Sequence, residues 1–162
     1  MPVRQDDMLT AEGSGTIGAM RSRLEDLIDE QRVALHDSLD GLSEEEARRR
    51  LVPSRTTLLG LLTHVTWVER VWYGEAITGK PQRGTPDSSF RLRKSDTVES
   101  VRARHREACA ASRKAVAALE LDAVVTGRGE RRLWEIHVHM LRELARHAGH
   151  ADILREQVLA AR

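Results

Sequence analysis

The chain has 162 residues, the size of one domain with room for a sizeable core. Its 26 Lys and Arg against 25 Asp and Glu leave a formal net charge of +1, so no whole-molecule field draws it to nucleic acid or to an anionic membrane. The single cysteine, Cys109, excludes an intramolecular disulfide; set among Ala108, Ala110 and Ala111 it reads as a small buried filler rather than a reactive thiol. No apolar run approaches the ~18 residues of a membrane span, and the opening Met1-Pro-Val-Arg-Gln-Asp-Asp lacks the apolar stretch of a signal peptide, so a cytoplasmic protein without membrane attachment is expected.

Residues 1–15, with Asp6, Asp7, Gly13, Ser14 and Gly15, read as a flexible N-terminal arm ahead of a single domain over 16–162. Ile17, Met20, Leu24, Leu27, Ile28, Val33, Leu35 and Leu39 then recur at three- and four-residue intervals and predict an amphipathic helix from Thr16 to about Asp40, ended by Gly41. Ser43-Glu44-Glu45-Glu46 is a capping-box sequence that opens a short helix, and Pro53 blocks its extension. A second long helix starts at Thr56 or Thr57 and runs to about Ile77, with Leu58, Leu61, Leu62, Val65, Val68, Val71 and Trp72 on one face. Trp67 and Trp72 are expected in the core or lining a pocket.

Residues 79–95 contain Pro81, Gly84 and Pro86 and show neither period, which predicts a loop. About 17 residues of extended chain can span a 20-residue helix of ~30 Å, so the third helix is free to run parallel to the second. That helix is capped by Asp96 with Glu99 and carries Val98, Val101, Ala108, Ala111, Ala115, Val116 and Leu119. A connection with Gly127 and Gly129 precedes a fourth helix, from about Arg131 to Ala160; Val124-Val125-Thr126 is too short to build a sheet. Four long amphipathic helices predict an all-α helical bundle.

The fourth helix also carries polar groups on its apolar side. With His139 at the origin and about 100° per residue, Glu143 falls at about 40°, His147 at about 80° and His150 at about 20°, while the apolar set spans about 60° to 140°. His64 lies about 60° from Leu61 and 40° from Val68 on the second helix. Burying ionisable groups without partners is expensive, so a carboxylate and imidazoles that converge on one interior usually neutralise one another or bind an ion. On the residues alone, a metal site stands level with its alternatives, a histidine satisfied by a carbonyl and a surface pair at i,i+4. His36 and His105 sit among Arg and Asp and are expected to be solvated; His137 points away from the stripe.

A His in the second helix followed by Glu143-Leu-Ala-Arg-His147-Ala-Gly-His150 and Ala151-Asp-Ile-Leu-Arg-Glu resembles the DinB-like metal-binding superfamily, in particular its actinobacterial branch related to mycothiol-dependent maleylpyruvate isomerase and mycothiol S-transferases. Gly41-Leu-Ser-Glu-Glu-Glu-Ala-Arg-Arg-Arg-Leu-Val-Pro-Ser and Thr56-Thr-Leu-Leu-Gly-Leu-Leu-Thr-His64 support it, and the likeness covers about Thr16 to Gln157. The resemblance implies a four-helix bundle in up-down-down-up order with a long crossover between its second and third helices. It also implies a divalent metal held by His64, Glu143 and His147, zinc first and Ni, Mn or Fe as alternatives. Many relatives have His in place of Glu143 and Gln in place of His150; the mycothiol-dependent isomerase branch uses Glu at the former position.

Three protein ligands leave a coordination position for a thiol, which the ion would hold as thiolate. The resemblance therefore implies a metal-dependent S-transferase that joins mycothiol, or a similar low-molecular-weight thiol, to an electrophilic small molecule, a detoxification chemistry. His150 and His139 would move protons, and Arg142, Arg146 and Arg155 would hold polar groups of the thiol. The alternatives are a metal-dependent hydrolase or isomerase on the same triad, including iron-based oxygen chemistry, and a non-catalytic helical binding protein. Nucleic acid is not an expected partner, for no basic stripe interleaves with aromatics. The sequence leaves open the electrophile, the ion, and whether the chain forms a homodimer.

Overall fold

The computed structural model describes residues 5–162, with side chains from Gly15 onward. Its long helices are α1 (Gln5–Asp37), α3 (Leu58–Glu69), α5 (Val98–Val116) and α6 (Leu133–Ala160), with a single turn, α2 (Glu44–Ala47), between the first two. α3 passes directly into a π-helical turn, Arg70–Glu75, and then into α4 (Ala76–Thr78). The expected arm falls partly outside the described residues; where the backbone is described, from Gln5, it belongs to α1.

Local signals account for most boundaries. Ser43 and Glu46 form the reciprocal capping box that opens α2, and the Thr57 hydroxyl accepts from the Gly60 N–H to open α3. The cap of α5 is one residue later than Asp96 with Glu99: Thr97 and Ser100 make the box, while Asp96 accepts from the Arg93 N–H in the turn before it. A second correction concerns the connection before α6. Val124–Val125 (β1) pairs antiparallel with Arg131–Arg132 (β2), so a two-residue hairpin exists where none was expected. It survives because Gly127 docks on the end of the π turn: its N–H reaches the Ala76 carbonyl at 2.9 Å, and a Cβ there would lie 2.0 Å from the Glu75 carbonyl oxygen. The hairpin also supplies carbonyls to the open end of α6, where Leu133 and Trp134 donate to Ala123 and Leu121.

Contacts between helices fix their directions. Along α1 and α5, Arg21 reaches the Val116 carbonyl, Asp29 meets Arg113, and the His36 carbonyl accepts from Arg102, so these helices are antiparallel. α3 and its continuation run antiparallel to α6, with His64 against His147 and Tyr73 against His137. α1 and α6 are parallel, with Glu25 near His137 and the Ser38 carbonyl on Arg155. The order is up-down-down-up, as the long crossover allows. The core contains Leu35, Leu59, Leu61, Leu62, Val65, Leu133, Ile136, Met140 and Leu144, all essentially inaccessible, each stabilising the fold by about 1.5–3 kcal/mol of apolar transfer.

Candidate metal centre

Antiparallel packing of α3 on α6 brings His64 and His147 together from separate helices: their Nε2 atoms stand 3.1 Å apart, with both rings buried. Glu143, one turn before His147 and half-buried, has Oε2 3.8 Å from His147 Nε2, while its Oε1 accepts from Arg146 at 3.0 Å. Among the described residues no three His, Cys, Asp or Glu side chains are already arranged as a complete metal-binding group. The two imidazoles converge; the carboxylate stands beside them, held by arginine.

The crossover loop completes the surroundings of His64. Ser89 Oγ lies 2.7 Å from His64 Nδ1 and donates its own proton to the Pro86 carbonyl at 2.6 Å. That hydroxyl can therefore only accept from the imidazole, so Nδ1 carries the hydrogen and Nε2 turns a lone pair toward His147. The Phe90 ring stacks on His64 at 4.1 Å and 10°, closing its other side. Burial, and then the neighbouring His147, push the His64 pKa down to about 4; burial likewise lowers His147, against the pull of Glu143. Both rings are thus neutral at pH 7, the state a metal ligand needs.

A lone pair on His64 Nε2 is compatible with the short approach in two ways. Either His147 donates Nε2–H to it, or both lone pairs address one cation, since two ligands about 2.0–2.1 Å from a tetrahedral ion stand about 3.3 Å apart. His147 Nδ1 is buried without a partner. The donor set of two neutral imidazoles and an adjacent carboxylate fits a zinc-like ion.

The remaining sequence candidates are distributed along α6. His150 is exposed, its ring 5.5 Å from that of His147, and it lines a cleft of ≈ 310 Å³ with Val52, Ile153 and Gln157. His139 packs at 4.1 Å on Trp72 and accepts at Nδ1 from Arg142, and burial lowers its pKa. Arg142 and Arg146 flank the Glu143 carboxylate. Arg155 instead holds the Ser38 carbonyl at 2.8 Å, tying α6 to the end of α1.

Sequence reasoning missed several buried polar groups. His105, expected in solvent, is 2% exposed between α5 and α1, stacked near His36 and 3.5 Å from Cys109 Sγ. Glu69 is fully buried and takes both oxygens to Arg32, at 2.8 and 2.7 Å, with Ser112 Oγ donating at 2.6 Å. Beside it Tyr73 Oη pairs with His137 Nδ1 at 2.7 Å. Ser89 and Phe90 were missed too, because a serine and an aromatic in an aperiodic loop carry no spacing signal. The i,i+4 relation of Glu69 and Tyr73 was available, but the apolar run around them masked it.

The model of the mycothiol-S-transferase family matches residues 23–160, from just past the middle of α1 to the last residue of α6. No curated protein matches the sequence. Because the matched stretch takes in most of the chain, including His64, Glu143, His147 and the crossover loop that carries Ser89, the protein belongs to the mycothiol S-transferase family.

Proposed function

We propose that the protein is a divalent-metal-dependent thiol S-transferase that uses mycothiol or a similar low-molecular-weight thiol on electrophilic small molecules. The observation that carries this reading is the meeting of two imidazole Nε2 atoms at 3.1 Å in a chain of this family, one of them oriented by Ser89 to present its lone pair. His64 and His147 would hold the ion, with zinc the best match to this donor set, and Glu143 would join them by turning Oε2 inward, a motion its three side-chain torsions permit. A metal bound there would favour the thiolate over the thiol near neutral pH.

The protein's own groups do the rest. Transfer breaks the S–H bond and forms a sulfur–carbon bond, while the electrophile either opens a multiple bond and takes a proton at the neighbouring atom or expels a leaving group with the bonding pair. His150, exposed beside His147, would carry the thiol proton to that atom or to water. His139, neutral and hydrogen-bonded by Arg142 at Nδ1, has Nε2–H to offer as donor to polar groups of the thiol or to the developing negative charge on the electrophile. Arg142 and Arg146, on the exposed side of Glu143, are placed to hold hydroxyl and carbonyl groups of the thiol. Arg155 joins this set only by leaving the Ser38 carbonyl.

The test is a comparison of wild type with His64→Ala for bound divalent metal and for mycothiol consumption across a panel of electrophiles. The expected result is stoichiometric metal and turnover in the wild type and loss of both in the variant. Equal metal in the two proteins removes the site. Metal without thiol turnover leaves the site and removes the activity, which directs attention to a hydrolase or isomerase on the same donors.

A further inference from the structure

Eighteen of the arginines from Arg21 to Arg162 have a side-chain partner: a carboxylate, a backbone carbonyl, an imidazole or an aromatic face. The four whose side chains make no hydrogen bond, ion pair or ring contact among the described residues are Arg70, Arg83, Arg91 and Arg93, and all four line one concavity of ≈ 590 Å³. A fifth, Arg104, is paired there with Asp96, the single acid of the lining. One carboxylate oxygen of Asp96 accepts from Arg104 and the other from the Arg93 N–H, so its single charge, shared between Arg104 and the nearby Arg93, leaves the lining with a clear excess of positive charge.

Local structure explains why these charges share a cleft. Thr63, Thr66, Trp67 and Arg70 recur at i, i+3, i+4 and i+7 and form one face of α3 and the turn after it. The opposite wall is the crossover loop, where Arg91 has extended backbone; Arg91 and Arg93 therefore point to one side while Leu92 packs against the core. The loop is pinned across the cleft by the Trp67 indole N–H on the Arg83 carbonyl at 3.0 Å. Gly84, at φ +99°, allows this close approach, since a Cβ would meet Ser88 Oγ at 3.2 Å and Trp67 Nε1 at 3.5 Å. The walls are thus built before any ligand arrives.

We propose that this cleft is a binding site for a small molecule carrying two or more carboxylate or phosphate groups. Unpaired guanidiniums confined in a concavity repel one another and focus a positive potential into it, in a protein whose net charge is only +1. Each presents a planar fork that matches a carboxylate or phosphate with two parallel hydrogen bonds, and the Trp67 ring offers an apolar wall for the body of the ligand. The volume lies within the range of small-molecule sites, about 300–1,000 Å³. A polynucleotide is the poorer fit, because the free charges ring one hollow rather than forming a stripe. The cleft shares Trp67 and Ser89 with the surroundings of His64 but contains none of the three candidate metal donors, so it does not depend on the proposed activity.

The test titrates the full-length protein at low ionic strength with citrate and with pyrophosphate, followed by calorimetry and by tryptophan fluorescence, with no thiol or electrophile present. Wild type is expected to bind at least one probe saturably at one site, and Arg70→Gln with Arg91→Gln to weaken it by about tenfold or more. Arg23→Gln with Arg49→Gln, which removes two charges elsewhere, is expected to leave affinity within about twofold. Arg83→Gln with Arg93→Gln, confined to the loop, repeats the effect without touching α3 and decides the matter should the first pair disturb the fold. No saturation by either probe at about 10 mM, or equal affinity in both pocket variants, overturns the assignment. So does tighter binding of a DNA duplex that displaces citrate at physiological salt.

Discussion

His64 owes its orientation to one hydroxyl. With the Ser89 proton committed to the Pro86 carbonyl, the imidazole must donate from Nδ1, and its free Nε2 faces His147. Ser89→Ala removes that constraint while leaving both imidazoles in place. If the donors hold an ion, its affinity is expected to fall about 10- to 100-fold, read by competition with a chromogenic chelator, with helical content unchanged. Unaltered affinity would show that Ser89 does not set the ring. A different residue-scale argument applies to Glu69, which is fully buried and bidentate on Arg32. Burial works against the Arg32 charge, but its bonds to Glu69 and Asp29 outweigh this and raise its pKa. Glu69→Leu alone leaves the buried guanidinium with only the partly exposed Asp29 as a charge partner and is expected to cost about 3–5 kcal/mol in urea unfolding. Adding Arg32→Met should restore a large part of the loss, because the pair stabilises mainly by mutual neutralisation; no recovery would mean the cost is one of packing.

At the scale of elements, the π turn and the hairpin form one unit. The extra residue in the Arg70–Glu75 turn re-phases the helix so that Tyr73 enters the core and Trp72 is left half-buried, and the carbonyl of Ala76, the residue directly after the turn, receives the Gly127 N–H. Gly127→Ala puts a methyl group against backbone rather than against a flexible side chain. It is expected to destabilise by about 2 kcal/mol or more and to speed amide exchange at residues 124–134, where the hairpin feeds the start of α6. Exchange that is unchanged there would show that the hairpin adapts without leaving the helix. Neither feature was legible in the sequence, for each depends on a partner far along the chain. The four long helices were legible because Leu and Val repeat at helical spacing, and so was the α6 stripe, whose angles place Glu143 and His147 at the core edge by local geometry alone. The burial of His105 was not: the ring is covered by α1, where it stacks near His36, and a partner on a distant helix leaves no mark in the residues beside it in sequence. The same holds for Arg70, Arg83, Arg91 and Arg93, which look like ordinary solvated charges until the crossover folds back on α3.

For the whole molecule, the bundle buries several histidines in its neutral form, and this sets how its stability responds to acid. His105 faces His36 and Arg32 of α1 together with Arg106 and Arg113 of its own helix, and burial foremost lowers its pKa to about 3. His137 faces Glu25, Arg21 and Arg32 of α1 and Tyr73 of the π turn, and burial lowers it to about 4 despite the pull of Glu25. An unfolded chain titrates both near 6.5, so below that pH it takes up protons that the native state refuses. Stability is then fully present above about pH 6.5 and falls as the pH drops through the interval down to about 4, by up to a few kcal/mol for each group. His64, His147 and His139 are shifted in the same direction and add to the slope. Asp29 and Asp96 have pKa values lowered against the cost of burial by Arg32 and Arg113 and by the Arg93 N–H and Arg104, so their contributions are lost only below the ordinary carboxylate range. Urea midpoints measured with a chelator present from pH 7.5 to 4.5 should therefore decline steadily with acid, before the carboxylates respond. His105→Asn with His137→Asn should start from a lower stability and show a clearly shallower decline. A slope equal to that of the wild type would mean that these two rings accept protons in the folded state, and that the bundle opens to admit them.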